Sequence, residues 1–299
     1  MTSPDFGLSI IASWIASRID SYFNNKDNQI EINNELKKNI VKFKITEIEQ
    51  EETEVLKLSK RFQELLLLMN ENKGEYNKFT IAKLSEILNL DRRSTLDNII
   101  SGREEATFEF IKKFCKTFRI NYDWLNESKG YPFNIEYNYF SPMDYLKDII
   151  ELNPERIYFI QNKSETAETF IMLGFSEWYY MVGTKIWHIS NNVGGSGQGQ
   201  IYDLYKLIKE LKENMFSSKC KGLKLESKEF YNILYGKSFP GSCLIGEMGW
   251  KGDNPWWDDF TDITHYYPIA DRYEEMHGKS FIDAQNIVKY QIEKYNKAE

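Results

Sequence analysis

The chain of 299 residues has few cysteines, and these stand far apart in the sequence. Only Cys115, Cys220 and Cys243 are present, so neither a disulfide framework nor a closely spaced metal clip is indicated. The sequence also lacks a run of about 18 apolar residues, which a membrane-spanning helix would need. It has no basic segment at its start of the kind that a secretory signal carries. We therefore expect a cytoplasmic protein without a transmembrane span.

Proline and glycine are too scarce for a collagen-like or linker-like chain, with 7 and 17 residues respectively. Hydrophobic residues make up 41% of the sequence and aromatic residues 15%, which excludes a disordered chain. Domains usually contain about 100 to 200 residues. The length therefore predicts two domains, or one domain with substantial attachments.

An excess of positive charge is also missing, because 38 Lys and Arg stand against 45 Asp and Glu, a net charge of -7. An acidic protein repels phosphate unless its basic residues are gathered in one place. Residues 53–133 have 14 basic and 12 acidic residues, whereas residues 134–299 have 18 and 24. The charge balance thus leaves nucleic-acid binding open for the middle of the chain and disfavours it for the last segment.

Changes in pattern divide the chain into three segments, residues 1–52, 53–133 and 134–299. The first begins with a predicted amphipathic helix from Ser3 to Phe23, which has an apolar stripe opposite a face of small and polar residues. Docking of this stripe on the protein itself is favoured, followed by a partner helix or a second subunit. A membrane surface comes last, because Arg18 is the only basic residue of the helix.

The middle segment follows a helical period from Thr53 to Leu125 and contains five helical patterns. Two of these are short, Thr80 to Leu88 and Ser94 to Ile100. The turn between them contains Asn89, a residue suited to the left-handed conformation in which helices often end. Two short helices joined by a tight turn can present the second helix to the major groove of DNA.

The stretch from Phe79 to Phe133 resembles the Cro/C1-type (XRE family) helix-turn-helix domain. The resemblance is carried by three motifs, Ser94-Thr95-Leu96, Ile100-Ser101-Gly102-Arg103 and Asn121-Tyr122-Asp123-Trp124-Leu125. Each has a physical reason: a capping box of Ser94 and Asp97, an exit with positive φ at Gly102, and closure of a small core by Trp124 and Leu125. With the helix predicted from Val55, the resemblance covers about a quarter of the chain and implies an all-α module.

The resemblance implies double-stranded DNA as a partner. The family's DNA-reading positions fall here at Arg92, Arg93, Ser94, Thr95 and Asn98, and Arg103 is available to a phosphate. Arginine can read guanine and asparagine can read adenine through paired hydrogen bonds. Such domains usually act in pairs, so we expect a homo-oligomer formed through the N-terminal helix or the C-terminal domain. The alternative is a helix-turn-helix that contacts a protein.

The last segment alternates strand-like runs with helical ones, and the strands cluster in sequence, which predicts an α+β domain with a mainly antiparallel sheet. A glycine-rich stretch with Gly195, Gly197 and Gly199 precedes a helix predicted from Gln200 to Met215. Backbone N–H groups at such a place can bind an anion or a nucleotide. The stretch lacks the spacing of a phosphate-binding loop, so a mobile surface loop is favoured.

An aromatic and acidic run lies near residue 260. If residues 256–265 are helical, Asp258, Asp262 and His265 share one face, where they could hold a metal ion or serve in acid–base chemistry. Trp256 and Trp257 could stack on a ligand. The favoured interpretation is that both tryptophans fill a core while the aspartates face water.

Recognised catalytic motifs are lacking. His188 is interpreted as a histidine of the core or the sheet edge, and His277 as a helix-end residue. We predict no cofactor and no metal, and favour a protein that is not an enzyme. The hypothesis is a DNA-binding transcriptional regulator whose C-terminal domain senses a small molecule or a protein. The alternative is a stress or phage-defence effector, in which the C-terminal domain acts on nucleotides or nucleic acid and the helix-turn-helix is a docking element.

Overall fold

The computed structural model describes residues 53–136, 142–246 and 249–297. Glu54–Glu299 is one compact unit, and it contains almost all of the described residues. The predicted helix from Ser3 to Phe23 lies outside them, and so does its expected role in assembly.

Five helices form the first part of this unit, where the helical period predicts them. They are α1 (Glu54–Met69), α2 (Ile81–Ile87), α3 (Arg93–Ile100), α4 (Phe108–Phe118) and α5 (Tyr122–Glu127). Phe62 of α1 packs edge-on against Phe114 of α4, with ring centroids 5.0 Å apart. Trp124 and Leu125 are buried in the same cluster, so apolar residues at helical spacing close around a common interior.

The helix starts follow local capping chemistry, with one correction. Thr80 caps α2, because its hydroxyl oxygen accepts a hydrogen bond from the backbone N–H of Lys83 at 3.2 Å. The predicted capping box of Ser94 and Asp97 is wrong. Helix α3 begins one residue earlier than expected, its N-cap is Arg92, and no side chain caps it. Ser94 is therefore an exposed residue of the first turn.

The turns around α3 use the left-handed backbone that their residues predict. Asn89, after α2, has φ 50°, and Gly102, after α3, has φ 69°. A Cβ at Gly102 would lie 3.0 Å from the side chain of Leu56 on α1. Glycine thus provides both the turn and the close approach of the two helices.

A five-stranded sheet forms the centre of the remaining chain. Its strands are β1 (Arg156–Asn162), β2 (Glu168–Gly174), β3 (Tyr180–Val182), β4 (Trp187–His188) and β5 (Cys220–Leu225). The order is β3-β2-β1-β5, and β4 also pairs with β2. Three pairings are antiparallel, but β5 lies parallel to β1. The α+β class is confirmed, with a mixed sheet.

Among the described residues, this second part has six α-helices: α6 (Pro142–Leu152), α7 (Gly195–Glu213), α8 (Ser227–Leu234), α9 (Trp256–Thr261), α10 (Tyr273–His277) and α11 (Lys279–Asn296). Helix α7 connects β4 to β5, and such a helical crossover lets the chain return parallel to β1. Because α7 begins at Gly195, the favoured surface loop around Gly197 and Gly199 is wrong. These residues form the first turns of the helix.

A second, two-stranded sheet follows a short helical segment. A 3-10 helix occupies Pro240–Leu244, and its first turn is closed by hydrogen bonds of 2.9 and 2.7 Å from the N–H and hydroxyl of Ser242 to the carbonyl of Phe239. Strand β6 is only Ile245–Gly246, and it pairs with β7, Gly249–Trp250.

Both faces of the large sheet are covered. On one face Ile160 and Phe170 join the hydrophobic cluster that also contains the interiors of α1 to α5. On the other face Ile157 and Phe159 pack with apolar residues of α6, α7 and α11. Strands buried on both faces are continuous apolar runs, which is why β1 and β2 are readily recognised in the sequence.

The helices and the sheet share part of this core. Phe239 packs against Phe79, which precedes α2, and against Phe133, with ring centroids 5.9 and 5.7 Å apart. The N–H of Phe133 donates a hydrogen bond of 3.0 Å to the carbonyl of Gly236. The division proposed near residue 134 therefore falls within one packed interior, and independent folding of the two parts stays a prediction.

Candidate functional site

The start of helix α3 presents three of the predicted DNA-reading residues to solvent. Arg92, Arg93 and Ser94 are exposed, while Leu96 and Ile99 on the inner side of α3 are buried. Within the described ranges neither arginine forms an ion pair with a carboxylate. Both guanidinium groups are thus available to an external partner.

The other predicted reading residues, Thr95 and Asn98, are less accessible. Thr95 and Asn98 are half-buried, and the Asn98 amide donates to the Glu104 carboxylate at 3.4 Å. A hydrogen bond of this length is weak. A base edge could therefore replace Glu104 as the partner of Asn98.

Arg103, the predicted phosphate contact, is bound to a neighbouring acid. Its guanidinium forms an ion pair with the carboxylate of Asp97, and both side chains are exposed. Exposed ion pairs contribute about 0 to 1 kcal/mol, so a phosphate can compete with Asp97 for Arg103. The structure thus leaves Arg92 and Arg93 free and Arg103 loosely held.

The position of α3 is set by two residues that the sequence did not single out. The hydroxyl of Ser59 and the side-chain amide of Gln63, both on α1, donate to the carbonyl of Ile100 at 2.6 and 2.8 Å. Ile100 is the last residue of α3, where carbonyl groups lack a partner within the helix. The signal in the sequence is Ser59, a small polar residue beside the apolar stripe of α1.

The three glycines predicted as a ligand loop have different surroundings. A Cβ at Gly197 would lie 2.4 Å from the Cβ of Val193, whereas Gly195 and Gly199 have open space. Packing against the preceding segment therefore explains Gly197. No contact among the described residues favours an anion at this turn.

Trp256 and Trp257 fill a core, as the favoured interpretation predicts, but its second part is wrong because Asp259 and Asp262 are buried and do not face water. Both are buried, and Phe159 of β1 packs against them at centroid distances of 6.3 and 5.5 Å, edge-on and stacked respectively. The hypothesis that they stack on a ligand is therefore corrected. Their ring faces are already used by the sheet.

The expectation that Asp258, Asp262 and His265 share a helix face is wrong. Helix α9 ends at Thr261, and His265 has φ 53°, so the helical spacing stops before the last two residues. Asp258 instead binds the ammonium of Lys212 at 2.5 Å.

The other two members of this predicted trio lie in the turn after α9. The Asp262 carboxylate accepts hydrogen bonds from the backbone N–H groups of Tyr266 at 2.8 Å and Tyr267 at 3.2 Å. His265 lies 3.3 Å from the side-chain oxygen of Gln285. These contacts turn the chain after α9. Gln285 also donates a hydrogen bond of 3.4 Å to the carbonyl of Asp262, so it links Asp262 to His265.

A buried polar chain lies close by and connects three other residues. Nε2 of His277 lies 2.7 Å from the carboxylate of Asp259, and its Nδ1 lies 3.2 Å from the ammonium of Lys224 on β5. Only 2% of the His277 side chain is exposed. Burial lowers the pKa of Lys224, and the Asp259 carboxylate opposes this shift. His277 does end α10, as predicted, but it is also an internal link between α9, α10 and the sheet.

The remaining chemical candidates are weak. His188 is half-buried in β4, opposite Glu168 of β2, as expected of a histidine at the edge of the sheet. Among the residues that the structure describes, no three His, Cys, Asp or Glu side chains are arranged to hold a metal ion.

A cleft of about 670 Å³ opens at one end of the sheet, beside the start of β1 and β5 and the end of β2. Four of its lining residues are basic and three are acidic. The basic residues are Arg156, Lys219, Lys221 and Lys251, and the acidic ones are Glu155, Glu177 and Asp253. Sequence reasoning missed this cleft, because its walls come from strands and loops that are far apart along the chain.

Comparison with known proteins adds no family to these observations. The chain matches no family model, no curated protein and no solved structure. In the described part of the chain, no helix is long and apolar enough to cross a membrane.

Proposed function

We propose that this protein is a cytoplasmic DNA-binding regulator whose reading helix is α3, and whose C-terminal part senses a ligand or a partner. The observation that carries the proposal is the pair Arg92 and Arg93, exposed and without a carboxylate partner in the described chain, at the start of a helix that follows a short helix and a tight turn. The first turn of the second helix is the part of a helix-turn-helix that contacts base edges.

The attachment of α3 to the rest of the unit supports this proposal. Ser59 and Gln63 hold its last carbonyl, and the buried side of the helix packs into the core. A reading helix that is fixed in this way does not have to be ordered when it binds, so less binding free energy is lost.

The modest charge of the helical segment predicts how the protein should bind. With only two more basic than acidic residues between 53 and 133, affinity for arbitrary DNA should be low and strongly weakened by salt. Sequence preference would then depend on Arg92, Arg93 and Asn98. Such domains read two-fold sites as pairs, so we propose a homo-oligomer as the active form.

Selection from a pool of random duplexes by the full chain tests the proposal. We expect enrichment of a sequence motif, and a shift of the selected duplex that weakens as salt is raised. Arg92→Ala combined with Arg93→Ala should abolish the shift of the selected duplex, because both proposed base contacts are lost. The matched control is Lys294→Ala with Lys297→Ala, which removes the same charge from the end of α11. Retained binding by the arginine variant would contradict the proposal.

The alternative is that this helix-turn-helix contacts a protein. In that case the selection from random duplexes should enrich no sequence motif. The effector alternative relied on Asp258, Asp262 and His265. Asp258 binds Lys212, whereas Asp262 and His265 are linked through Gln285 in the turn after α9, so the three do not share the helix face that this alternative assumed.

A further inference from the structure

The cleft at the end of the sheet has the size of a metabolite site. Its volume of about 670 Å³ lies within the range of about 300 to 1,000 Å³ that is usual for small-molecule pockets. Its floor is formed by the sheet, and it opens on the face that also packs against α1 to α5. The chemistry of its walls indicates what could occupy it.

Two tyrosines provide a wall with free hydroxyl groups. Tyr158 of β1 and Tyr180 of β3 stand on either side of Gly174, where an added Cβ would lie 3.1 and 3.3 Å from their rings. Neither hydroxyl is hydrogen-bonded to another residue in the described chain. Burial raises the pKa of Tyr158 to about 12 and also raises that of Tyr180. Both hydroxyls therefore keep their protons near neutral pH and can donate to an acceptor.

Two of the four cations at the cleft have carboxylate partners. Lys221 binds Asp253 at 3.0 Å, and Lys251 binds Glu229 at 2.7 Å. Their positive charges are thus largely compensated within the protein.

The other two cations have neutral partners. Lys219 donates to the side-chain oxygen of Asn153 at 2.6 Å, and Arg156 donates to the backbone carbonyl of Glu155 at 2.9 Å. In the described ranges no carboxylate forms an ion pair with either. A carboxylate or phosphate would provide the charged partner that both lack.

The register of the sheet places these two cations side by side. Ile157 of β1 pairs with Cys220 of the parallel strand β5, and Arg156 and Lys219 are the residues directly before them. Neighbouring strands lie about 4.8 Å apart, so one anionic group can contact both side chains. Tyr158 pairs with Lys221 in the same register, which places a hydroxyl donor beside them.

We propose that this cleft binds an organic anion of metabolite size, with its phosphate or carboxylate at Arg156 and Lys219 and its remaining part against Tyr158 and Tyr180. This cleft would be the ligand site of the sensing part, and its role in regulation rests on the proposed function. The binding itself does not depend on DNA.

A direct contact connects this cleft to the helix pair. Glu177 lines the cleft and forms an ion pair of 2.6 Å with Lys83 of α2. The ammonium of Lys83 also lies 5.1 Å from the ring centroid of Phe79, next to the shared core. An anion bound beside Glu177 would change the electrostatic environment of this ion pair, and hence the stability of the contact between the sheet and α2.

Calorimetric titration of the full chain at low salt tests the proposal with four probes. AMP combines an aromatic ring system with a phosphate, and benzoate combines one with a carboxylate. Inorganic pyrophosphate is an anion without a ring, and adenosine is AMP without its phosphate. We expect AMP or benzoate to bind more tightly than adenosine, and the preferred one identifies the anionic group. Pyrophosphate should bind less tightly than the preferred probe, because it lacks a part to pack on the tyrosines.

Variants locate the binding. Arg156→Ala combined with Lys219→Ala should weaken the preferred probe at least about tenfold, the expected effect of losing two charge-assisted contacts. Tyr158→Phe with Tyr180→Phe should weaken it while preserving the packing. Lys294→Ala with Lys297→Ala should leave the affinity unchanged.

Two results would overturn the proposal: no saturable binding of any anionic probe, or equal affinity in wild type and the Arg156, Lys219 variant. Circular dichroism and the unfolding midpoint show whether each variant is folded. Because the titration contains no DNA, it tests anion binding separately from the proposed DNA binding. Selection of a DNA motif without anion binding rejects the cleft alone, and anion binding without a motif rejects the regulator alone.

Discussion

The ammonium group of Lys83 on helix α2 lies 2.6 Å from the carboxylate of Glu177, which follows strand β2. This ion pair joins the candidate reading unit to the rim of the cleft. The hydrogen bond from Lys83 is the main cause of the lowered pKa of Glu177. The two side chains are 36% and 56% exposed, so water and salt weaken their attraction.

We expect this ion pair to add less than about 1 kcal/mol to the free energy of unfolding. A double-mutant cycle with Lys83→Met and Glu177→Gln, followed by urea unfolding, measures the coupling. The coupling should decrease as salt is added. A value above about 2 kcal/mol, far beyond that of exposed pairs, would show that the contact is a main attachment of α2.

The hydrogen bond from Ser59 to Ile100 should matter more, because the Ser59 side chain is buried. We expect Ser59→Ala to lower the free energy of unfolding by about 1 to 2 kcal/mol, the usual effect of removing a buried hydrogen bond. Gln63 still donates to the same carbonyl, which limits the loss. Denaturant unfolding provides the measurement, and exposed Ser218→Ala is the control. Equal midpoints for the two variants would contradict a structural role of Ser59.

Local patterns were sufficient to predict much of this fold. The helical period predicted α1 to α5, and clustered strand-like runs predicted a sheet in the last segment, because these signals come from neighbours in sequence. The left-handed turns at Asn89 and Gly102 were predicted for the same reason. At the start of α3, however, the capping rule suggested Ser94, whereas the helix begins without a side-chain cap.

The candidate sites depended on contacts that are distant in sequence. Asp259 and His277 are 18 residues apart, and no local rule pairs them. The helical spacing that joined Asp258 to His265 failed because Asp262 accepts hydrogen bonds from the N–H groups that follow it and turns the chain. Likewise, the parallel pairing of β1 with β5 is set by a crossover helix, and only this pairing brings Arg156 beside Lys219.

Removal of His277 should be strongly destabilising, since it would leave Asp259 as a buried carboxylate with fewer hydrogen bonds. We expect His277→Ala to lower the free energy of unfolding by about 3 kcal/mol, the usual effect of breaking a buried polar pair. Chemical denaturation at neutral pH measures it. Asp259→Asn combined with His277→Ala should recover part of the loss, because an uncharged amide then replaces the buried carboxylate. A His277→Ala loss below about 1 kcal/mol would argue that water replaces the imidazole.

The surroundings of Asp262 predict a dependence of stability on pH. Burial by itself would raise the pKa of this carboxyl, but hydrogen bonds from the N–H groups of Tyr266 and Tyr267 and from the hydroxyl of Tyr273 lower it. Its pKa in the folded protein is therefore below the unfolded value of about 3.9. The ionised carboxylate stabilises the fold above that unfolded pKa, and this contribution is lost as the pH falls through the folded pKa.

Asp262→Asn should consequently be less stable than wild type near neutral pH and should lose less stability on acidification. Urea unfolding between about pH 6 and about pH 3 gives both quantities through the proton linkage. Asp258→Asn, which affects a more exposed ion pair with Lys212, is the matched control. If Asp262→Asn and wild type lose the same stability over this range, the lowered pKa of Asp262 does not contribute to acid unfolding.

A glycine on the edge strand β5 connects the cleft to the stability of the sheet. The N–H of Gly222 donates to the Asp253 carboxylate at 2.8 Å, and its carbonyl accepts from the N–H of Asn254 at 2.9 Å. An added Cβ would lie 1.9 Å from the carbonyl oxygen of Asn254, so the covering segment would have to move. We expect Gly222→Ala to lower the free energy of unfolding by about 2 to 4 kcal/mol, the range for steric overlap combined with lost hydrogen bonds. Gly252→Ala in the same segment meets no atom within 4 Å and should change stability by less than about 0.5 kcal/mol.

The Gly222→Ala substitution should also affect the cleft, because Asp253 lines it. Gly222→Ala should weaken the binding of AMP or benzoate, whichever binds to the wild type. Loss of stability without loss of binding would place the anion away from this edge.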